Sequence, residues 1–212
     1  FMQGELMISS RVNFNKVYNL TERVIPGNID TTIPSHEEYA HFLIKRFLHA
    51  NGLGQPSEIA YLLKNTKAIV NNALQEMLSK GKLLEIKALG NKYYALTESL
   101  ELLDKPLARS KLKILSPFDN LLIQRKRMKT LFNFDYIIEC YVPQSKRKYG
   151  YFSLPILWDG KLVARMDCKV ERKQSLFLIN HLALEAGLTK TEAFFQALCK
   201  ELESFLEFNN CS

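Results

Sequence analysis

The sequence predicts an α+β fold: a winged helix-turn-helix, then a small antiparallel β-sheet or barrel-like domain with a C-terminal helix. Three observations predict it. Residues 35–79 place apolar side chains at helical spacing in three successive segments. Two strand-like runs joined at a glycine follow at once, which is the order of a winged helix within about sixty residues. From Phe134 onward the apolar period changes to two, which is typical of strands.

The chain length and composition allow one large domain or two small ones. It has 212 residues, of which 47% are hydrophobic, so a sizeable core can form. We expect three regions: residues 1–34 as the remnant of a preceding winged-helix region that starts upstream, 35–104 as the winged helix-turn-helix, and 105–212 as a basic, β-rich domain. No apolar run is long enough to span a bilayer and no leader pattern is present.

The four cysteines are widely spaced and form no CxxC pair. This pattern argues against a disulfide framework and against structural zinc. It favours reduced thiols in a cytoplasmic protein.

The first half of the chain contains signals for several elements. Short strands are expected at residues 5–9 and 16–19. Ser35, with Glu38 three positions later, predicts a capping box for a helix that ends at Asn51-Gly52. The next helices are predicted over residues 58–63, with Ser57 as N-cap, and over residues 67–79, with Gly81 as the left-handed C-cap residue.

A β-hairpin is predicted over residues 82–89 and 92–96, joined at Gly90-Asn91, with a short helix over 98–105. In a winged helix the third helix enters the groove of DNA. Lys67 and Asn71 lie on the predicted exposed face of that helix, where they can contact phosphates and base edges. The face has no arginine, the commonest base-contacting residue, so a scaffold role stays open.

The second half of the chain is predicted to be mainly β-structure. Asp119 is placed to cap a helix over residues 120–132. The closing helix over 189–208 carries a capping box of Thr189 and Glu192. Asp159-Gly160 predicts a tight hairpin turn, and imperfect alternation predicts a bulge near Arg165. The predicted strands are 136–142, 149–157, 161–170 and 175–184.

Positive charge is concentrated between Lys105 and Lys148. Eleven lysines and arginines stand there against three acidic residues, an excess of eight, whereas the whole chain carries +7. Aromatic residues alternate with these cations, and that combination favours a nucleic-acid partner. A solvated basic face is the alternative.

Several segments resemble consecutive blocks of the bacterial winged-helix DNA glycosylase family. That family excises alkylated bases and unhooks interstrand crosslinks. The resemblance implies tandem winged helices and a small β-rich C-terminal domain that work on double-stranded DNA. The matching segments are GELMISSRVNFNKVYNLTERVIP, LSPFDNLLIQRKR, LFNFDY, YVPQSKRKYGYFSLPIL and GKLVARMDCKVERK.

The resemblance has two departures. Ile123-Gln124 stands where the family usually has Trp-Asp before Arg-Lys-Arg. The family's catalytic signature, Gln, an apolar residue, then Gln or Asp, is missing, since Gln3-Gly4-Glu5 is the nearest match. No catalytic residue is therefore assigned, and the chain resembles the C-terminal portion of such a protein.

Other chemistry finds little support in the sequence. Asp119, Asp135 and Asp167 are the acidic candidates for glycosidic cleavage, but each has a plainer structural reading as a cap, a turn residue or a strand carboxylate. The four histidines form no pair at metal-binding spacing, and no phosphate-binding glycine loop occurs. No metal and no cofactor is predicted.

The leading hypothesis is the DNA-binding part of an alkylation-repair glycosylase, acting as a monomer with no membrane association. The alternatives are a winged-helix transcription regulator, which would dimerise on a palindromic site, and a module that binds an acidic protein. Three sets of residues are predicted to contact DNA: Arg125, Lys126, Arg127, Lys146, Arg147 and Lys148 on phosphates; Arg165, Lys169, Arg172 and Lys173 as a second tier; and Lys67 and Asn71 on the third helix.

Overall fold

The computed structural model describes residues 4–106 and 110–211, which form two compact units divided after Tyr39. The first unit contains an antiparallel hairpin of β1 (Leu6–Val12) and β2 (Asn15–Leu20), followed by the helical turn α1 (Thr21–Val24). Both strands overlap the predicted ones and extend beyond them. Gln3, from the nearest match to the catalytic signature, lies outside the described residues.

Helix α2 (His36–Asn51) begins at the predicted capping box. The Ser35 backbone N–H donates to Oε2 of Glu38 at 2.8 Å, and the Glu38 backbone N–H donates to Oγ of Ser35 at 3.2 Å. Two backbone donors at the helix start are thereby satisfied.

The second unit continues with β3 (Leu53–Gly54), α3 (Pro56–Ile59), α4 (Lys67–Ser79), β4 (Leu83–Ala88) and β5 (Asn91–Leu96). These strands form an antiparallel sheet in the order β3-β5-β4. Helix α4 has its predicted bounds, and Gly81 follows its C-cap with the predicted left-handed conformation (φ +69°).

Three local predictions in this region were wrong. Ser57 is not the N-cap of α3, because the helix begins at Pro56, and Gln55 occupies the cap position. Proline is well suited to the first helical position, since it needs no N–H partner there. The hairpin turn consists of Leu89 and Gly90 (φ +49° and +72°), one residue earlier than predicted, and a 3₁₀ turn (Thr97–Leu102) replaces the predicted short helix.

The remainder of the second unit is built on a four-stranded antiparallel sheet. Its elements are β6 (Lys113–Ile114), α5 (Asn120–Ile123), α6 (Arg125–Phe132), β7 (Ser153–Trp158), β8 (Lys161–Glu171), β9 (Leu176–Leu184) and α7 (Thr191–Phe208). The strand order in the sheet is β6-β7-β8-β9, with α5 and α6 between β6 and β7 in the chain and α7 after β9.

Asp119 caps α5 as predicted, accepting the Leu121 backbone N–H at 2.9 Å. The turn between β7 and β8 is the predicted Asp159-Gly160 pair, with φ of +50° and +73°. The predicted helix over 120–132 is interrupted at Gln124 (φ −92°, ψ 86°), and Lys190, not Thr189, precedes α7.

The predicted strand over residues 136–142 was wrong. This segment contains a 3₁₀ turn (Glu139–Tyr141), and the short strand β6 pairs with β7 instead. Two register shifts occur in the sheet, between Ile156 and Leu157 and between Asp167 and Cys168, so a bulge does lie close to the predicted position.

Two apolar clusters support the sheet. Leu112, Ile156, Met166 and Phe194 belong to the cluster between the sheet and α7. The other cluster joins α5 and α6 to the sheet through Leu122, Met128, Phe134, Tyr136 and Leu162. Within residues 4–106 and 110–211, no helix is both long and apolar enough to cross a membrane.

Candidate nucleic-acid interface

Arg127 is a structural side chain and not a free cation. It is 5% exposed, and its Nη2 donates to the carbonyl oxygens of Asn51 at 3.2 Å and Leu53 at 3.0 Å. Its Nε lies 3.5 Å from Oε2 of Glu58, which is also buried. Its predicted phosphate contact does not fit this placement, because the guanidinium joins α6 to the ends of α2, β3 and α3.

Arg125 is half-buried and also has internal partners. Its guanidinium donates to the carbonyl oxygens of Leu122 at 2.7 Å and Pro117 at 3.0 Å, and lies 4.5 Å from the ring centroid of Tyr136. Burial lowers the pKa of Arg125 and raises the pKa of Tyr136 to about 12. Two nitrogens of the Arg125 guanidinium therefore stabilise the start of α6.

Lys126 is the cation of this triplet that is exposed, and no carboxylate in the described chain pairs with it. Its neighbour Lys129 on the same helix is paired with Asp135, Nζ to Oδ2 at 2.9 Å. That pair lowers the pKa of Asp135, through a hydrogen bond first and the lysine charge second. Asp135 is thus a surface partner of Lys129 and not a turn residue before a strand.

The second basic triplet lies in residues 142–151, which we call the basic loop. The loop is anchored by Glu139, whose carboxylate accepts the backbone N–H groups of Lys148 at 2.9 Å, Tyr149 at 2.6 Å and Gly150 at 3.2 Å. Burial raises the pKa of Glu139, but these three hydrogen bonds outweigh burial, and the net pKa is lowered. An ionised carboxylate therefore holds the loop.

A second carboxylate supports the same loop. Asp167, in β8, accepts the Phe152 backbone N–H at 2.8 Å and the side-chain amide of Asn180 at 3.2 Å. Gly150 (φ +121°) lies against Asp167 so closely that a Cβ at this position would clash with its side chain. Asp167 is thus a strand carboxylate whose partners are an amide and a backbone N–H, not cations.

The cations of the basic loop lie against aromatic rings. Arg147 lies 4.9 Å from the ring centroid of Tyr151, and the Lys148 ammonium lies 4.9 Å from that of Tyr149. Arg147 Nε also donates to the Val142 carbonyl at 2.8 Å, which leaves its terminal nitrogens without a hydrogen bond within the described chain. Lys146 and Lys148 are exposed.

Arg165 connects this loop with the sheet and is buried. Its guanidinium lies between the rings of Phe134 and Tyr149, 4.2 and 4.0 Å from their centroids. It donates to Glu185 Oε1 at 2.6 and 2.9 Å and to the Asp135 carbonyl at 3.0 Å. Because every side of this group is occupied, its predicted second-tier phosphate contact does not fit the structure.

The remaining predicted cations are on exposed positions. Lys169 pairs with Glu171 on the same strand. Arg172 and Lys173 lie in the turn between β8 and β9, and Lys67 and Asn71 are exposed on α4. The basic loop contacts Arg165 through the ring of Tyr149.

Two carboxylates that position this surface, Glu58 and Glu139, were missed from the sequence. Glu58 accepts the backbone N–H of Gln55 at 2.9 Å, a local contact at the start of α3. Its other partner, Arg127, and the partners of Glu139 and Asp167 are distant in the chain, so sequence spacing carries no signal for them. Two histidines lie beside carboxylates: Nε2 of the partly buried His41 lies 3.1 Å from Glu76, and Nε2 of the exposed His49 lies 3.7 Å from Glu98. All four cysteines are free thiols.

Comparison with known proteins identifies two similarities. A family model described as DNA glycosylase AlkZ-like matches residues 1–208. The structure of Streptomyces sahachiroi DNA glycosylase AlkZ is similar over 92% of this chain and 50% of that chain, with a TM-score of 0.58 and 19% sequence identity. The chain therefore spans about half the length of the solved structure it matches, and at this identity the likeness shows the fold.

Proposed function

The chain belongs to the AlkZ-like DNA glycosylase family, and on that premise we propose that it is the DNA-binding part of a repair glycosylase that acts on alkylated bases or interstrand crosslinks. In this proposal it is a cytoplasmic monomer that binds the backbone of double-stranded DNA. The Gln-apolar-Gln/Asp signature is absent from its sequence, so base excision is assigned to residues beyond this chain.

The observation that carries the proposal is the basic loop. Three backbone N–H groups fixed on Glu139 hold Lys146, Arg147 and Lys148 on a preformed turn. Ordering long cationic side chains on a duplex costs less when their backbone is already in place. The three N–H donors partly compensate the negative charge of the Glu139 carboxylate, which reduces its repulsion of a nearby phosphate.

We also propose that residues 35–104 form a winged helix. The element order is helix, strand, two helices and two strands, and β5 lies between β3 and β4 in the sheet. In this arrangement α4 is the helix that would approach a groove, and the β4–β5 hairpin is the wing. Lys67 and Asn71 on α4 would then contact phosphate or base edges.

The phosphate-contacting set that fits the structure differs from the predicted one. Arg127 and Arg165 are removed from this set, because both are buried and stabilise the fold through internal hydrogen bonds. The cations that stay in it are the half-buried Arg147 and the exposed Lys126, Lys146, Lys148, Arg172 and Lys173.

The test is a duplex-binding titration over a range of salt concentrations. If four to six phosphates are neutralised, log K should fall with log salt at a slope of about −4 to −5. A flat salt response would overturn the proposal. Incubation with a duplex that carries an alkylated base should give binding without strand-cleavable abasic sites, and efficient excision would disprove the assignment of catalysis to other residues.

The alternative functions give different outcomes. A regulator would dimerise and select a palindromic sequence from random duplexes. A module for an acidic protein would be displaced by acidic polypeptide much better than by DNA of matched charge. Neither the structure nor the comparisons contain an observation that favours either one.

A further inference from the structure

A cavity of about 350 Å³ lies beside the basic helix α6. Its lining comes from sequence-distant segments: the residues around α3, the start of β5, and Gln124 to Thr130. We call it the amide pocket after the three carboxamides in its lining, Gln55, Asn91 and Gln124, which lie beside Ser57, Glu58, Tyr61 and the basic residues of α6.

The walls of the amide pocket are held in place by internal hydrogen bonds. Gln124 Nε2 donates to the Glu58 carbonyl at 2.9 Å, and Asn91 Nδ2 donates to the Leu89 carbonyl at 3.0 Å. Their amide oxygens accept no hydrogen bond from the residues that the structure describes. Two acceptors of fixed orientation are therefore available in one cavity.

The pocket lining carries an excess of positive charge. Arg127 and Glu58 pair at 3.5 Å, and Arg125 and Lys126 add two further positive charges to the lining. Arg127 Nε is buried and donates no hydrogen bond within the described chain. The cavity therefore suits a ligand that carries a phosphate together with a neutral base whose N–H groups can meet the amide oxygens.

Tyr61 and Lys126 add an exposed aromatic ring and an exposed cation to the lining of the pocket. Tyr61 is 45% exposed and its hydroxyl makes no hydrogen bond with the described residues, so its ring face and hydroxyl are both available. Lys126 is exposed and unpaired with any described carboxylate. An aromatic ring, amide acceptors and an adjacent cation are the groups that recognise an unstacked base and its phosphate.

We infer that the amide pocket receives one unpaired nucleotide of DNA, with the base between Tyr61 and the carboxamides and a flanking phosphate on Lys126. The volume lies in the range of small-ligand sites, about 300–1,000 Å³. This inference rests on the proposed function, because it requires DNA to lie along α6. It adds a preference for duplexes that contain an unstacked base.

The experiment compares two duplexes of one sequence, one fully paired and one with a single unpaired 2-aminopurine nucleotide. The complete chain should bind the second duplex roughly tenfold more tightly, which is the size of the contribution of one stacked base. The 2-aminopurine fluorescence should change on binding, as its stacking partner changes from a base to Tyr61.

Variants separate the pocket from the phosphate-binding surface. Tyr61→Ala and Ser57→Phe, which remove the ring and obstruct the cavity, should abolish the tenfold preference and leave binding to the paired duplex unchanged. Tyr61→Phe should retain most of the preference. Ser204→Phe makes the same change as Ser57→Phe on an exposed position of α7 and should alter neither affinity.

The outcomes distinguish this inference from the function on which it rests. Binding to neither duplex would overturn the proposed function. Equal binding to both duplexes, or a preference that survives Tyr61→Ala and Ser57→Phe, would overturn the pocket assignment alone.

Discussion

Nε of Arg127 lies 3.5 Å from Oε2 of Glu58, and both side chains are buried within the same unit. The pair connects α6 with α3, and two further hydrogen bonds from Arg127 reach the carbonyls of Asn51 and Leu53. The last residue of the basic triplet Arg125-Lys126-Arg127 thus supports the fold, while its neighbour Lys126 stays free for a ligand.

Removing one partner of this pair should destabilise the protein strongly. Arg127→Met leaves the Glu58 carboxylate buried without its counter-charge, and we expect a loss of about 3–5 kcal/mol in the free energy of unfolding. Urea unfolding measures it. Arg172→Met, on an exposed turn, is the matched control and should cost under about 0.5 kcal/mol. A loss for Arg127→Met as small as that of the control would refute the structural role.

Glu58 should make stability depend on pH in the opposite sense to most carboxylates. Burial raises its pKa above the ordinary value of 4.5, more than the Gln55 hydrogen bond and Arg127 lower it. Between the ordinary pKa, which applies to the unfolded state, and the raised pKa of the folded state, the folded state binds more protons than the unfolded state. The free energy of unfolding contributed by Glu58 therefore falls as pH rises through that interval.

The measurement is the difference in unfolding free energy between the wild-type protein and Glu58→Gln, followed from pH 4 upward. The wild type should lose stability relative to the variant as pH rises above about 4.5 and then level off. A difference that is constant with pH, or that grows in the other direction, would contradict the raised pKa.

Glu139 should govern the order of the basic loop. Glu139→Ala removes the acceptor of three backbone N–H groups, so amide hydrogen exchange at Lys148, Tyr149 and Gly150 should speed up markedly. Duplex affinity should fall several-fold because the cations are no longer held in place. Since the Glu139 pKa is lowered in the fold, its stabilisation is present above the ordinary pKa of 4.5 and is lost as pH falls below it.

Glu203→Ala, on an exposed position of α7, is the control for this variant. It should leave exchange in the loop and duplex affinity unchanged. Unaltered exchange at the three loop amides in Glu139→Ala would show that the carboxylate does not hold the loop.

Gly150 should not tolerate a side chain. Its φ of +121° is accessible mainly to glycine, and an added Cβ would meet the Asp167 side chain. Gly150→Ala should cost about 2 kcal/mol or more, from strain and from the displaced carboxylate. Gly187→Ala is the matched control, since an added Cβ there has no neighbour within 4 Å. Thermal unfolding of both variants measures the difference, and equal midpoints would contradict the close approach.

Neutralising loop cations should change the salt dependence of DNA binding. Lys146→Ala and Lys148→Ala should each reduce the magnitude of the log-log slope by about 1, because each removes roughly one phosphate contact. Lys200→Ala, an exposed lysine on α7, should leave the slope unchanged. Slopes that do not differ between the loop variants and this control would exclude the basic loop from the interface.

The sequence alone determined the features that depend on local interactions. The capping box of Ser35 and Glu38, the Asp119 cap, the left-handed Gly81 and the Asp159-Gly160 turn were all predicted at their observed positions. Each of these involves residues within a few positions of one another, where backbone geometry and side-chain type are sufficient. The family resemblance was also read from local segments, and the family model confirms it.

Only the tertiary structure decided which cations are free and which are supports. Lys126 and Arg127 are adjacent in the chain, yet one is exposed and the other is 5% exposed beside a carboxylate of another segment. Glu139 prevents the predicted strand by binding the amides of a later loop. Burial and long-range hydrogen bonds depend on how distant segments pack, and residue order carries little information on that packing.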